Sequence, residues 1–297
     1  MVGSIINIMI KHSELILNND GSIFHLHLKP ENISDQIILV GDPARVDIIT
    51  SFFEKIDFSI QNREFKTVTG WYNRKKLSVI STGIGTDNID IVLNELDALV
   101  NIDLKKREIL KKHKSLNIVR IGTSGGLQPD LPVNSLVVSQ KSIGFDGMLN
   151  FYANRENVCD LSFEIAFKKF TSWDKSLPTP YVVDASEYLL SKFGDREFKK
   201  GATISAPGFY GPQGRELRLP LAVPELNQLL EEFSFNEIKI TNFEMESSAI
   251  YGLSKMLGHK ALTICLIIAN RVTLNANQDY RDEMKKLIKK VLSRLST

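Results

Sequence analysis

Unbroken apolar runs alternate along this chain with apolar stripes at helical spacing. Residues 36–40, 77–81, 116–121 and 261–269 are short, rich in β-branched side chains and nearly free of polar positions. Runs of this kind predict strands covered on both faces. The first ends at Gly41-Asp42-Pro43, the second at Thr82-Gly83 and the third at Gly122. A further strand is predicted over residues 237–241. Ile89, Val92, Leu93, Leu96, Leu99 and Val100 form a helical stripe, with Asp87 as its candidate N-cap. Ala249, Ile250, Leu253, Met256 and Leu257 form a second, stopped by Gly258. Tyr280, Met284, Leu287, Ile288, Val291, Leu292 and Leu295 form a third. Its other face carries Lys285, Lys286, Lys289, Lys290 and Arg294, and a solvated face is the simplest reading. Strands alternating with helices predict a three-layer α/β domain. No Pro/Gly/Ser-rich linker divides the chain, so residues 21–297 read as one domain. Residues 1–20 read as a tail whose order is open, and its apolar stretch lacks the flanks of a signal peptide.

Composition narrows the function classes. Of 297 residues, 43% are apolar and 24% charged, which excludes a disordered or fibrous chain. Thirty-seven basic against 35 acidic residues leave a net charge of +2, with no electrostatic footprint for nucleic acid. The longest apolar run, 261–269, includes Thr263 and falls well short of the roughly 18 residues of a membrane span. Cys159 and Cys265 cannot build a disulfide framework and lack metal-ligand spacing, so a reducing, cytoplasmic setting is expected. His12, His27, His113 and His259 form no cluster. Lys105-Lys106-Arg107 and Lys111-Lys112-His113-Lys114 read as solvated helix faces, and Cys265 reads as packing.

Candidate chemistry gathers at the strand ends, where open α/β sheets bind ligands. Gly41-Asp42-Pro43-Ala44-Arg45, Arg120-Ile121-Gly122-Thr123-Ser124-Gly125-Gly126 and Asn270-Arg271 each combine glycine, arginine or hydroxyl groups at such an end. Glycine lets backbone N–H groups approach an anion, and arginine grips phosphate oxygens bidentately. No Gly-Lys-Ser/Thr follows, so this is not a Walker P-loop. Gly122-Thr123-Ser124-Gly125-Gly126 also matches a nucleophile elbow, but an elbow needs a helix at once. The following Leu127-Gln128-Pro129-Asp130-Leu131-Pro132 cannot start one. Glu244 and Glu246 sit two residues apart at a strand-to-helix junction. They could be an acid–base pair, hydroxyl binders, or simple complements to the helix dipole. Residues 205–224 hold four prolines, three glycines and Phe209, Tyr210, Gln213, Arg215 and Arg218, a composition that points to a functional loop.

Taken together and in order, these islands resemble the nucleoside phosphorylase family, and within it the uridine phosphorylases. Phe24-His25-Leu26, Asn62-Arg63-Glu64-Phe65, Ser81-Thr82-Gly83-Ile84-Gly85, Phe209-Tyr210-Gly211-Pro212-Gln213-Gly214-Arg215 and Phe243-Glu244-Met245-Glu246 complete the set. The resemblance implies a single α/β/α domain with a central mixed sheet. It implies phosphorolysis of uridine, with deoxyuridine in range, to uracil and the pentose 1-phosphate. Inorganic phosphate would be the co-substrate, with no organic cofactor. Phosphate would be held by Gly41, Arg45, Arg120 and Thr123, with Arg63 reaching over from a neighbouring subunit. Ribose would meet Met245, Glu246 and the neighbour's His25, and the base Phe209, Gln213, Arg215 and Ile268, with Glu244 in support. Arg120, Glu246 and Arg215 would carry the chemistry. A homo-oligomer, a dimer or a trimer of dimers, would follow. In some relatives a monovalent cation such as potassium sits near the positions of Glu64, Ile84 and Asn88; Asn88 replaces the usual serine, which argues against a metal here. The purine branch places a catalytic aspartate where this chain has Asn270-Arg271, which disfavours purines. Residues 145–200 match weakly and are assigned no function. A nucleosidase using water, or a non-catalytic nucleoside-binding protein, is the alternative on the same scaffold.

Overall fold

The unbroken apolar runs become the interior strands of the computed structural model, which describes residues 9–297. The main elements are β1 (Gln36–Val40), α1 (Pro43–Thr50), β2 (Lys55–Asn62), β3 (Phe65–Tyr72), β4 (Lys75–Ser81) and α2 (Thr86–Asn101). They continue as β5 (Asn117–Gly126), β6 (Leu136–Gly144), α3 (Leu161–Phe170), β7 (Tyr181–Asp184), β8 (Phe198–Ser205) and β9 (Ile238–Glu244). The chain ends with α4 (Ser247–Met256), β10 (Lys260–Asn270) and α5 (Arg281–Ser296). Parallel partners β1 and β10 flank β5, pairing Gln36 and Lys260 with Asn117. All three strands therefore deliver their carboxyl ends to one edge.

The sheet is mixed, as expected. Beyond β1 it runs through β4, β3 and β2, the last two pairings antiparallel. On the other side it runs from β5 through β10, β6 and β8 to β9. That half closes on itself, because Phe243 and Asn242 of β9 pair antiparallel with Gly125 and Gly126 of β5. Glycine permits such a hard bend at a barrel corner. Helix α1 packs with α5 and α2 with α4, while β10 touches both α4 and α5, giving the three layers. Ile89, Val92, Leu93 and Leu96 of α2 are fully buried, as the stripe predicted. The basic face of α5 is turned outward, while Met284, Leu287, Ile288, Val291 and Leu292 face the core. Among the described residues no helix is long and apolar enough to cross a membrane.

Three sequence expectations are corrected. Asp87 does not cap α2: the cap is Gly85, at φ +103°, a backbone conformation that suits glycine. Lys105-Lys106-Arg107 is no helix face but a turn between two-residue strands, with Arg107 buried and donating to the Leu15 carbonyl. Residues 111–114 are likewise an exposed loop. Part of the N-terminal tail packs on the domain: Ile10 N–H bonds the Arg107 carbonyl at 2.8 Å, and Leu15 joins the core. The remainder of that tail, residues 1–8, lies outside the described residues.

Candidate active site

A cleft of about 750 Å³ opens at the carboxyl ends of β1, β5 and β10. At the first of these, Gly41 leads into α1. Asp42 caps that helix by accepting from Ala44 N–H at 2.9 Å, and Pro43 takes its first turn. Arg45 thereby points inward. Only 9% of its surface is exposed, and its Nη1 donates to the Ile121 carbonyl at 3.4 Å. Among the described residues Arg45 makes no ion pair, and burial, followed by the nearby Arg120, lowers its pKa against the pull of Tyr280 and Asp42. Two buried guanidiniums sharing one end of a cleft form a site for an anion.

Arg120 lies mid-strand in β5. A Cβ on Gly122 would stand 2.0 Å from its Nη1, so the glycine makes room for the guanidinium. The Gly122–Gly126 stretch is strand throughout, and the elbow reading falls away. Thr123 lines the cleft, as does the buried Ser124. Ser124, in sequence a member of the strand-end motif with no assigned ligand, stands beside Thr123 at the cleft.

The two carboxylates after β9 have different tasks. Glu244 accepts from the N–H groups of Glu246 at 2.9 Å and Ser247 at 3.0 Å, complementing the start of α4. Glu246 ion-pairs Arg120 Nη2 and accepts Gly85 N–H at 2.8 Å. Glu244 Oε2 lies 3.4 Å from Arg120 Nη1. Burial pulls the Arg120 pKa down, but Glu246 and Glu244 outweigh it, and the group is held a firm cation. Burial pushes the Glu246 carboxyl up; Arg120 opposes this and Glu244 adds to it.

At the opposite wall stands the irregular 205–224 loop. Arg215 Nη1 donates to Gln213 Oε1 and to the Phe209 carbonyl, both at 2.6 Å, and its guanidinium lies 3.8 Å over the Phe209 ring. Burial, with Arg271 adding to it, brings the Arg215 pKa down to about 10. Gln213 is buried, while Phe209 is 51% exposed. Gly214 holds a left-handed turn, and its carbonyl accepts from Arg271 Nη2 at 3.1 Å. Met245 and Ile268 line the cleft between its two ends. Glu64, Ile84 and Asn88 stand together along it, with Ile84 largely exposed. Among the described residues no group of three or more His, Cys, Asp or Glu is arranged to hold a metal.

His25 and Arg63, expected to serve a neighbouring subunit's site, lie outside the cleft of this chain. Asn62, next to Arg63 in sequence, donates to the His25 carbonyl at 2.7 Å, His25 Nδ1 lies 2.6 Å from Glu95, and Arg63 occupies the exposed tip of the β2–β3 hairpin. Asn270 turns away from the cleft. Its amide donates to the Gln128 and Leu131 carbonyls at 2.8 Å, and its Oδ1 accepts from Val272 and Thr273 N–H groups. Asn270 therefore shapes the local turn and does not line the cleft.

The profile of the Phosphorylase superfamily matches residues 35–296. A uridine phosphorylase of Thermococcus kodakarensis is 29% identical over 262 residues, covering 86% of this chain and 79% of its own. A DeoD-type purine nucleoside phosphorylase of Listeria monocytogenes is 28% identical over 250 residues, covering 82% of this chain and 85% of its own. The crystal structure of a Trypanosoma brucei nucleoside phosphorylase that shows uridine phosphorylase activity superposes with a TM-score of 0.83 at 30% identity, covering 95% of this chain and 99% of that one.

Proposed function

The chain belongs to the Phosphorylase superfamily and is an enzyme of the pentosyltransferase class; on that footing we propose that it splits uridine with inorganic phosphate into uracil and ribose 1-phosphate. The observation that carries this reading is the pair of buried guanidiniums, Arg45 without an ion-pair partner, facing an Arg215–Gln213 pair across one cleft. Breaking the glycosidic bond leaves an oxocarbenium-like ribose and an anionic base. Phosphate held by Arg45, Arg120, Thr123 and the Gly41 backbone stabilises the cation and then captures it at C1′. Glu246 and Met245 hold the ribose. Arg215 opposes the charge that develops on the departing pyrimidine.

Uridine, rather than a purine nucleoside, is favoured by the base end. Uracil presents two carbonyls flanking N3–H. Gln213 Oε1 is already engaged by Arg215, which fixes the amide's orientation and leaves its second lone pair for N3–H and its NH2 for a carbonyl. Relatives bearing both uridine and purine names share this scaffold, so the discrimination lies in these side chains. The chemistry needs no organic cofactor and no metal; Glu64, Ile84 and Asn88 are not required for it. In this reading the active form is a homo-oligomer, because the family resemblance assigns His25 and Arg63, both outside the cleft of their own chain, to the site of a second copy.

The decisive experiment incubates the protein with uridine in the presence and absence of phosphate and identifies the products. Uracil and ribose 1-phosphate, formed only with phosphate, are expected. Base release indifferent to phosphate would point to a nucleosidase, and binding without turnover to a storage protein. Specific activity should also fall on dilution below the concentration that keeps subunits together.

A further inference from the structure

Behind Glu244 runs a buried polar chain that the proposed reaction does not use. Ser205, the last residue of β8, donates its hydroxyl to Glu244 Oε1 and accepts Ser248 N–H at 2.8 Å; Ser142 Oγ stands 3.2 Å away. The Ser248 hydroxyl in turn donates to Asp146 Oδ2 at 2.9 Å, and Asp146 Oδ1 takes the Tyr181 hydroxyl and Met148 N–H, each at 2.8 Å. Ser205, Ser248 and Tyr181 are fully buried. Room for this chain is built into the sheet. Gly144 pairs with Ser205 on one side and Tyr181 on the other, and a Cβ there would stand 2.4 Å from the Tyr181 ring and 2.8 Å from Asp146 Oδ2. Asp146 and Tyr181 belong to the 145–200 segment, to which the sequence assigned no task.

Glu244 is fully engaged. Oε1 takes Ser205 and Ser247 N–H, while Oε2 takes Glu246 and Ser247 N–H and faces Arg120. No lone pair is left for a ligand, although Glu244 borders the cleft. Its influence runs through Arg120 and through the backbone of Glu246.

We infer that Ser205, braced from behind by Ser248, Asp146 and Tyr181, is a positioning residue that locks the Glu244 carboxylate and thereby holds Arg120 and Glu246 at the reacting end. This rests on the phosphorolysis reading. Without the Ser205 hydroxyl, Oε1 keeps only the Ser247 N–H, and the carboxylate can rotate away from Arg120. Misplacement of a reacting group by about 1 Å can cost on the order of a hundredfold in rate.

The test compares Ser205→Ala with Ser139→Ala. Ser139 is equally buried in the same sheet, but its hydroxyl pairs with Thr203 and does not reach Glu244. The readouts are thermal midpoint, phosphate affinity by calorimetry, and kcat and KM for uridine determined separately. Ser205→Ala should lose about tenfold in kcat and weaken phosphate binding several-fold, while the uridine KM moves far less. Ser139→Ala should match the parent protein in all but a small loss of thermal midpoint. Unchanged kcat and phosphate affinity, a loss confined to the thermal midpoint, or an equal loss in Ser139→Ala would each overturn the assignment. Parent protein inert on uridine would defeat the phosphorolysis reading instead; the calorimetric comparison, which needs no nucleoside, would still decide the role of Ser205.

Discussion

The two ends of the cleft are built on opposite principles. At the end proposed to hold phosphate, Arg45 and Arg120 are buried, and each is aimed by regular structure: a capped helix start in one case, a central strand in the other. Arg120 is enclosed by Glu244 and Glu246, which are themselves tied to backbone N–H groups. The end proposed to meet the base is a loop. Arg215 and Gln213 are oriented by each other, by the Phe209 carbonyl and ring, and through Arg271 at Gly214. Rigid sheet ends suit an invariant anion such as phosphate. A self-supporting loop can change its base specificity without disturbing that grip, which fits a scaffold shared by uridine- and purine-named relatives.

The sharpest way to break this contrast is Arg120→Met. It leaves two carboxylates buried without their cation, a change that typically costs about 3–5 kcal/mol. Denaturant unfolding should show that loss, and phosphorolysis should fall by more than about a thousandfold. If the variant kept near-normal stability, the phosphate end would not be the rigid unit described. Arg215→Ala comes next. Its contact is worth most when the base becomes an anion, so kcat should drop by about a hundredfold, roughly 3 kcal/mol, with the phosphate KM and the unfolding midpoint almost unchanged. A change confined to the phosphate KM would reverse the assignment of the two ends.

Gln213→Ala should act on selection instead of rate. Uracil and cytosine differ in the donor and acceptor pattern that an oriented amide reads, and the preference should relax by about tenfold. Because Arg215 orients that amide, the double variant should lose less than the sum of the two single losses, a coupling absent between Gln213 and Arg45. Competition assays with the two nucleosides measure both effects. Smallest of all, Arg271→Ala removes the hydrogen bond that ties the loop to β10, a contribution of about 1 kcal/mol, so the uridine KM should rise a few-fold while phosphate binding stays put.

Much of this was legible along the chain. Continuous apolar runs marked β1, β4, β5 and β10, since a strand buried on both faces has no choice of residue type. The stripes of α2, α4 and α5 followed from helical period, and the glycine–arginine islands at strand ends located the cleft, because only those residue types combine close backbone approach with anion binding. The partner of each charge was decided by the tertiary structure. Glu244 and Glu246 are indistinguishable as sequence, yet the turn into α4 sends one to the helix start and the other to Arg120. Asn270 sits in a promising motif but is spent on two carbonyls. The start of α2 at Gly85, the buried Arg107 and the packing of Ile10 and Leu15 likewise depend on contacts distant in sequence. Local pattern determines which segments are buried and which residue types stand at their ends. Hydrogen bonds and ion pairs form between segments many residues apart, so only the folded chain decides whether a charged side chain faces substrate, a helix end or another charge.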